Sequence, residues 1–446
     1  MDYKGTRALI VGLRKSGMAS AEFLARLGAR VRVTDLKGLE EIPGAGAFVA
    51  RLNLPFRVQA AEDFQDCDLI VLSPDVPADL APLVEARRRG VRVIGEVELA
   101  APFLRGKTIG ITGSNGKTTT TSLIGHILQE AGLPVQVGGN IGTPVTAMVE
   151  SSRPEMWNVL ELSSFQLETI SQFRAHIGLA LNVTQNHLDR HHTFENYAAA
   201  KGRLFETMTR GDYAILNADD PVCVAYAGRT TAQVEWFSGK GKVAHGAGLC
   251  SDKLVLDGKL LMVAGEIPIR GRHNIENVLA ASVAAARAGV DRSAIATAVR
   301  TFHAVEHRLE FVRQAGGIDF FNDSKATSVD ATLKAIDAFT GGLWVILGGK
   351  DKGLDYTALR EPLAARAHAA LLVGKAAPKI ASQLEGAVPL VDSQTIAAAV
   401  AYAYERGHAG DTVLLAPACA SFDQFESFEH RGRVFKEIVR QLPEKG

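Results

Sequence analysis

The sequence predicts an α/β protein of three domains, each built on a mainly parallel sheet. Three observations carry that prediction. The 446 residues are too many for one hydrophobic core. Short apolar runs alternate with helical patterns along the whole chain, as parallel strands joined by crossover helices require. Glycine-rich turns follow several of those runs, at the strand ends where such sheets bind ligands. Composition agrees, with 47% hydrophobic and 22% charged residues. Lysine plus arginine and aspartate plus glutamate number 49 each, so no electrostatic footprint for nucleic acid is visible. Cys67, Cys223, Cys250 and Cys419 are scattered without metal spacing, as expected in a reducing compartment. No apolar run approaches membrane-spanning length, and the chain starts in a strand pattern instead of a leader, so we expect a cytosolic, cytoplasmic protein.

The first domain is expected over residues 1–95. Residues 8–12 (ALIVG) read as a buried strand, followed by a helix over 16–27 and a strand over 30–34, with Asp35 at its end. This βαβ opening makes the domain Rossmann-like. The dinucleotide fingerprint is spoiled, because Gly12 and Gly17 hold its outer positions while Arg14 replaces the middle glycine, where a pyrophosphate needs close backbone approach. A nicotinamide cofactor is therefore disfavoured. The remaining readings are a mononucleotide-like ligand held by Lys15, Ser16 and Asp35, or a module kept only for structure. Strands over 69–73 and 91–94 follow, separated by a Pro-rich turn and a helix whose residues 87–89 (RRR) read as a solvated end.

The central domain is expected over 96–304, as a P-loop ATPase-like parallel sheet with a small antiparallel addition. A β-branched run over 108–112 enters the turn Gly113, Ser114, Asn115, Gly116, and a helix follows with Leu123, Ile124, Ile127 and Leu128 on one face. Strand, glycine turn and helix start together form a phosphate cradle: glycines admit the backbone, helix-start amides and Lys117 supply positive charge, and the Thr118 hydroxyl can ligate Mg²⁺. The pattern is the short G-x-x-G-K-T, with Ile111 where the longer motif has glycine. We expect this loop to bind a nucleoside triphosphate.

Beyond it, residues 138–144 read as a turn-rich loop whose Asn140 could face a ligand. In the strand over 157–162, Glu161 interrupts an apolar run. A carboxylate there is expensive unless paired or metal-bound, so it reads as a Mg²⁺ ligand or as a strand-end carboxylate bonded to the next turn. A strand over 177–183 ends in a loop holding Asn186, His187, Asp189, His191 and His192. Without cysteines it makes a poor structural zinc site, and one histidine beside Mg²⁺ or substrate is more economical. Thr193 is the expected N-cap of the next helix, where Phe194, Tyr197, Leu204, Phe205 and Met208 form an apolar stripe containing Lys201. Two readings of Lys201 stand level: a snorkelling lysine, or a neutral amine near Mg²⁺ able to add CO₂ as a carbamate. Residues 213–216 form a strand before an acidic turn at 217–221, and 234–269 looks like antiparallel decoration. A helix over 272–288 carries Asn277, which either presents its amide to a base or caps the first turn. A short helix over 292–302 closes the domain ahead of a linker near Val305.

The last domain, over 305–446, continues the alternation with strands ending at Asn322 and over 343–349, 370–373, 389–391 and 412–415, and is again Rossmann-like. Residues 416–428 form a polar-aromatic loop at a strand's C-terminal end, in which Cys419 reads as a small buried filler.

These stretches together resemble the Mur ligase family over essentially the whole chain. The broad markers are TGSNGKTTT at 112–120, LELSSFQLE at 160–168, NVTQNHLDRH at 182–191, Lys201, NADDP at 217–221 and HNIEN at 273–277. The selective ones, NDSKATS at 322–328, LGGKDKG at 347–353 and APACASFDQFESFEHRG at 416–432, are similar to the D-glutamate-adding members. The resemblance implies ATP-dependent amide formation between UDP-N-acetylmuramoyl-L-alanine and D-glutamate in peptidoglycan precursor synthesis, by a monomer holding two Mg²⁺ ions. It implies that Gly113, Ser114, Asn115, Gly116, Lys117, Thr118, Thr119, Thr120, Asn277, Arg308 and Asp323 bind ATP. It also implies that Thr118, Glu161, His187 and carbamylated Lys201 hold metal, and that Lys117, Glu161, His187 and Lys201 serve catalysis. Lys15, Ser16, Asp35, Leu36, Ser73 and Asn140 fall on the UDP-substrate side; His187, Lys325, Thr327, Lys352, Ser421, Phe422 and Phe428 fall on the D-glutamate side. Asn186 departs from members with aspartate before the histidine, and hinges are expected near Gly95 and Val305. The rival readings are a sibling amino-acid ligase, including a folylpolyglutamate synthase-like activity, and a non-enzymatic ATP-binding switch. The switch has no use for Lys201 in an apolar stripe.

Overall fold

A computed structural model describes residues 2–269, 271–303, 306–351 and 353–443. Three sheets succeed one another along the chain. The first contains β1 (Arg7–Val11), β2 (Arg30–Asp35), β3 (Phe56–Val58), β4 (Leu69–Leu72) and β5 (Arg92–Gly95). All are parallel, in the order β3-β2-β1-β4-β5. Strand order reverses between β1 and β4, the kind of place where open α/β sheets leave a crevice. The sequence reading does not separate the helix Ala45–Leu52 or the short β3 after it, in which Phe56 alone is partly buried and three residues are too few to show a period.

The second sheet holds β6 (Lys107–Thr112), β7 (Val135–Gly139), β8 (Trp157–Glu161), β9 (Ile177–Ala180), β10 (Tyr213–Asn217), β11 (Gln233–Ser238), β12 (Gly246–Cys250), β13 (Lys253–Leu256) and β14 (Lys259–Val263), in the order β14-β13-β12-β11-β10-β9-β6-β8-β7. Here β6 sits between β9 and β8 at a switch in strand order, the kind of place where open α/β sheets leave a crevice, and the glycine turn follows it. Two expectations need correction. Gly138 and Gly139 belong to β7 and not to the loop, and residues 233–250 are not antiparallel: β11 and β12 extend the parallel sheet, leaving β13 and β14 as the antiparallel addition. The helix Lys117–Glu130 buries Leu123, Ile124, Ile127 and Leu128 completely, as their spacing required.

The third sheet runs β15 (Glu310–Ala315), β16 (Ile318–Asn322), β20 (Thr412–Leu415), β17 (Leu343–Gly348), β18 (Ala367–Val373) and β19 (Leu390–Gln394) across its width. Only β15 is antiparallel, a hairpin partner of β16 that the sequence reading did not separate. The loops after β16, β20 and β17 emerge side by side at one end of adjacent strands. The chain forms two compact units. One runs through Glu266 and resumes over Glu276–Thr301; the other comprises Ile267–Ile275 and the chain from Phe302 onward. Val305, the expected hinge, and Lys352 lie outside the described residues. Among the described residues no helix is long and apolar enough to cross a membrane.

Candidate active site

The loop after β6 is shaped by two glycines of unusual backbone. Gly113 has φ +152° and Gly116 has φ +83°, and a Cβ on Gly116 would stand 2.3 Å from Asn277 Oδ1. Asn277 lies beyond the first turn of its helix, so it is not a first-turn cap. It is buried in the helix Arg272–Arg287, and its Oδ1 accepts a bond from Thr120 Oγ1 at 3.2 Å. Ser114 and Asn115 are held from the other side by the end of β9. Ser114 N–H donates to the Asn182 carbonyl (2.8 Å) and Asn115 N–H to Asn182 Oδ1 (2.8 Å), while Asn182 Nδ2 returns a bond to the Asn115 carbonyl. In the sequence Asn182 is one residue of a motif among others; its role is visible only once β6 and β9 lie adjacent.

Two lysines converge on one carbonyl of this loop. Lys117 Nζ donates to Gly113 O (2.8 Å) and Ser114 O (3.0 Å), and Lys201 Nζ donates to Gly113 O at 2.8 Å. Lys201 is 1% exposed, so the snorkelling reading is wrong. The helix Phe194–Gly202, capped by Thr193 Oγ1 as expected, aims it inward with the Tyr197 ring 4.6 Å from its ammonium. Burial first, and the Lys117 charge second, hold its amine well below the usual lysine range, with Cys223 and Glu161 opposing. Tyr197, read in sequence only as part of an apolar stripe, also shares a hydrogen bond with Ser114 Oγ at 3.0 Å.

Glu161 ends β8 directly beside Ile111 of β6 and Gly139 of β7. It is 2% exposed; Oε1 accepts from Asn140 Nδ2 at 2.9 Å, and Oε2 is buried without a hydrogen-bond partner. Asn140 thus touches the carboxylate, in addition to any contact with substrate. His187 is exposed, in a left-handed turn (φ +53°), its amide donating to Asn186 Oδ1 at 2.9 Å. Its ring meets Phe165 edge-on at 5.0 Å and Tyr197 at 6.2 Å, which puts it in the same cluster as Lys201. Thr118 and Thr119 are buried at the helix start. Among the described residues, no three His, Cys, Asp or Glu side chains gather as a metal set.

In the first sheet, a cavity of about 460 Å³ opens at the β1/β4 switch, lined by Gly12, Asp35, Leu36, Ser73, Asp75 and Val76 among others. Asp35 uses both oxygens locally, accepting from Leu13 N–H (2.7 Å) and Lys37 N–H (3.0 Å), and Ser73 Oγ donates to the Gly12 carbonyl (2.7 Å). Both therefore shape the crevice wall. Leu36 is 76% exposed at its edge, and Lys15 and Ser16 open the helix Lys15–Arg26. The RRR stretch is exposed as expected, yet Arg87 and Arg89 also donate to the Ala78 and Phe64 carbonyls.

In the second unit, burial pushes the Asp323 carboxyl up to about 7 against the nearby Arg308 and Lys325. Lys325 Nζ lies 5.4 Å from the Phe428 ring, and Thr327 N–H donates to the Lys325 carbonyl. Ser421 is buried and Phe422 exposed on the loop after β20. That loop is anchored by Arg431, 1% exposed, which donates to Ser324 Oγ, Ser324 O and Cys419 O. Cys419 is buried filler, its sulfur 3.1 Å from the Tyr356 hydroxyl.

Fold and site define a protein of three α/β sheets with a P-loop-type glycine turn at a strand end, beside which a buried lysine and a buried carboxylate are held. The chain belongs to the Mur ligase family. Residues 6–95 match the family model described as Mur ligase MurD-like, N-terminal domain; 111–285 match the Mur ligase middle domain, and 307–419 the Mur ligase glutamate ligase domain. The UDP-N-acetylmuramoylalanine–D-glutamate ligase of Solibacter usitatus is 74% identical over 445 residues, covering 100% of both chains. The enzyme of the same name from Acidobacterium capsulatum is 51% identical over 98% of this chain and 97% of its own. Among solved structures, the UDP-N-acetylmuramate-alanine ligase of Thermotoga maritima shares the fold at TM-score 0.62 and 17% identity, over 98% of this chain and 99% of that one.

Proposed function

We propose that this chain joins UDP-N-acetylmuramoyl-L-alanine to D-glutamate at the expense of ATP, in the cytoplasm, as a step of peptidoglycan precursor synthesis. Near-complete coverage at 74% identity by a ligase of that name supports the substrates. The observation that carries the chemistry is the meeting of Lys117 and Lys201 on the Gly113 carbonyl, within electrostatic reach of Glu161.

A carboxylate is a poor electrophile. Its oxygen attacks the γ-phosphorus of ATP, ADP departs, and the acyl phosphate so formed carries a competent leaving group. The D-glutamate amine then attacks the acyl carbon, loses a proton, and inorganic phosphate leaves. The first step brings two anions together, and Lys117, fixed by two loop carbonyls, counters their repulsion without moving. The amides at the start of the helix Lys117–Glu130 add to that field.

The residues present fit Mg²⁺. Glu161 Oε2 is buried and without a partner, and this ion uses one or two carboxylates with phosphate and water oxygens, so a three-residue protein cage is not required. Thr118 and Glu161 would hold one ion, and Glu161, His187 and carbamylated Lys201 a second. When bound, the ions neutralise charge on the phosphoryl oxygens. A carbamate suits Lys201 because it converts a desolvated cation into an anionic ligand, and burial favours the unprotonated amine that such an addition needs. Asn277, Arg308 and Asp323 are assigned to ATP; Lys15, Ser16, Asp35, Leu36, Ser73 and Asn140 to the UDP-substrate; Lys325, Thr327, Lys352, Ser421, Phe422 and Phe428 to D-glutamate. The enzyme acts as a monomer. Purified protein with both substrates, Mg²⁺ and ATP should release ADP only when acceptor and D-glutamate are present together or the acyl phosphate accumulates. No ADP release, or equal turnover with a folate acceptor or L-glutamate, would refute the assignment.

A further inference from the structure

Three loops that carry assigned residues meet at one ion pair. Arg190 lies in the short helix Leu188–His191, three residues beyond His187, with its side chain 11% exposed. Its Nη2 donates to Glu168 Oε2 and to the Val76 carbonyl, both at 2.8 Å, and its Nη1 reaches the Asp75 carbonyl at 3.3 Å. The guanidinium sits 5.1 Å from the Phe165 ring centre. Glu168 Oε1 lies 3.1 Å from Nδ1 of the buried His191, whose Nε2 is 3.0 Å from Ser164 Oγ. The loop after β4, the segment after Glu161 and the turn that bears His187 are thereby tied at a single point.

The ends of this connection matter. Asp75 and Val76 line the first-sheet cavity, and Val76 N–H donates to the Ser73 carbonyl at 3.0 Å. At the other end, the amides of Arg190 and His191 donate to the His187 carbonyl at 3.1 and 3.0 Å, holding that residue in its left-handed conformation. Guanidinium offers several fixed donors, so one side chain can serve two carbonyls and a carboxylate; an ammonium is a single point of charge.

We infer that Arg190 is a positioning residue that locks the wall of the first-sheet cavity to the turn bearing His187. Filling that cavity with the uridine diphosphate end of the acceptor thereby sets His187 for reaction at the other end. This rests on the ligase reading above. A merely structural ion pair would lower stability without linking the two places.

Hydrogen exchange with UDP alone as probe separates the cases, since UDP lacks the reacting carboxylate. In the wild type, UDP should slow exchange of the 190–192 amides severalfold. In Arg190→Lys and Arg190→Ala the slowing should be confined to the first domain. With full substrates, kcat for ADP release should fall at least about tenfold in both variants, while KM for the acceptor changes less than about threefold. UDP-dependent slowing at 190–192 that survives in both variants, or a loss confined to KM, would overturn the inference. If Arg190→Ala does not fold, Glu168→Gln, which keeps the side-chain shape, takes its place beside Arg190→Lys. Wild type that releases no ADP refutes the ligase reading, and the exchange measurement still decides the lock.

Discussion

Lys201 Nζ stands 2.8 Å from the Gly113 carbonyl oxygen, which also receives Lys117 Nζ at 2.8 Å. Two like charges on one acceptor in a buried setting repel, and that repulsion adds to burial in depressing the Lys201 amine. Replacing Lys201 by methionine removes the buried nitrogen while keeping its length. We expect the melting temperature to stay level or rise by a few degrees, on the order of 1 kcal/mol, while ADP release falls by about 10³ or more. Thermal melts and a coupled ADP assay check both halves.

Gly116→Ala tests the phosphate loop. At φ +83°, with Asn277 Oδ1 only 2.3 Å from the new Cβ, alanine is strained and displaces the Asn277–Thr120 contact. The expected loss is about 1–3 kcal/mol of stability, with weakened binding of a fluorescent ATP analogue. Unchanged affinity would show that the loop tolerates a shift there.

Glu96 provides a pH test. Its Oε1 accepts from Thr146 N–H and Oγ1, its Oε2 has no partner, and burial pushes the carboxyl up to about 7 from an ordinary 4.5. Between those values the folded state keeps a proton that the unfolded state has released. The stabilisation is therefore fully present below about pH 4.5 and is lost as pH rises through about 7, a change on the order of 3 kcal/mol. Urea midpoints of wild type relative to Glu96→Gln should decline across that window and then level off. A flat difference would mean that Glu96 ionises normally.

Arg431 anchors the loop after β20 through Ser324 and the Cys419 carbonyl while 1% exposed. Arg431→Met fits the space and leaves those acceptors unpaired. It should lower the stability of the second unit by about 3 kcal/mol or more, seen as an earlier urea transition of that unit alone.

Much of the fold was legible because its strands are long and apolar enough to show their period, and its helices carry their own signals, as Thr193 and the Leu123 to Leu128 stripe do. What escaped was short, edge-placed or pairing-dependent. β3 has three residues, and β15 is a hairpin edge. β11 shows nothing in its residues that distinguishes parallel from antiparallel partners. In the site, Glu161 stood out as a carboxylate in an apolar run, whereas Arg190, Glu168 and His191 look like ordinary loop polarity until their loops meet.

The sequence by itself determined the alternation of strands and helices, the glycine turn with its lysine and threonines at a helix start, and the family, since each is written in local spacing or in contiguous motifs. Only the tertiary structure decided that Lys201 is buried on the Gly113 carbonyl, that Asn140 bonds Glu161, and that Asn277 touches Thr120. The reason is physical: burial and hydrogen-bond partners are set by neighbours remote in the chain, and a side chain's protonation follows from those neighbours and not from its own position in a pattern.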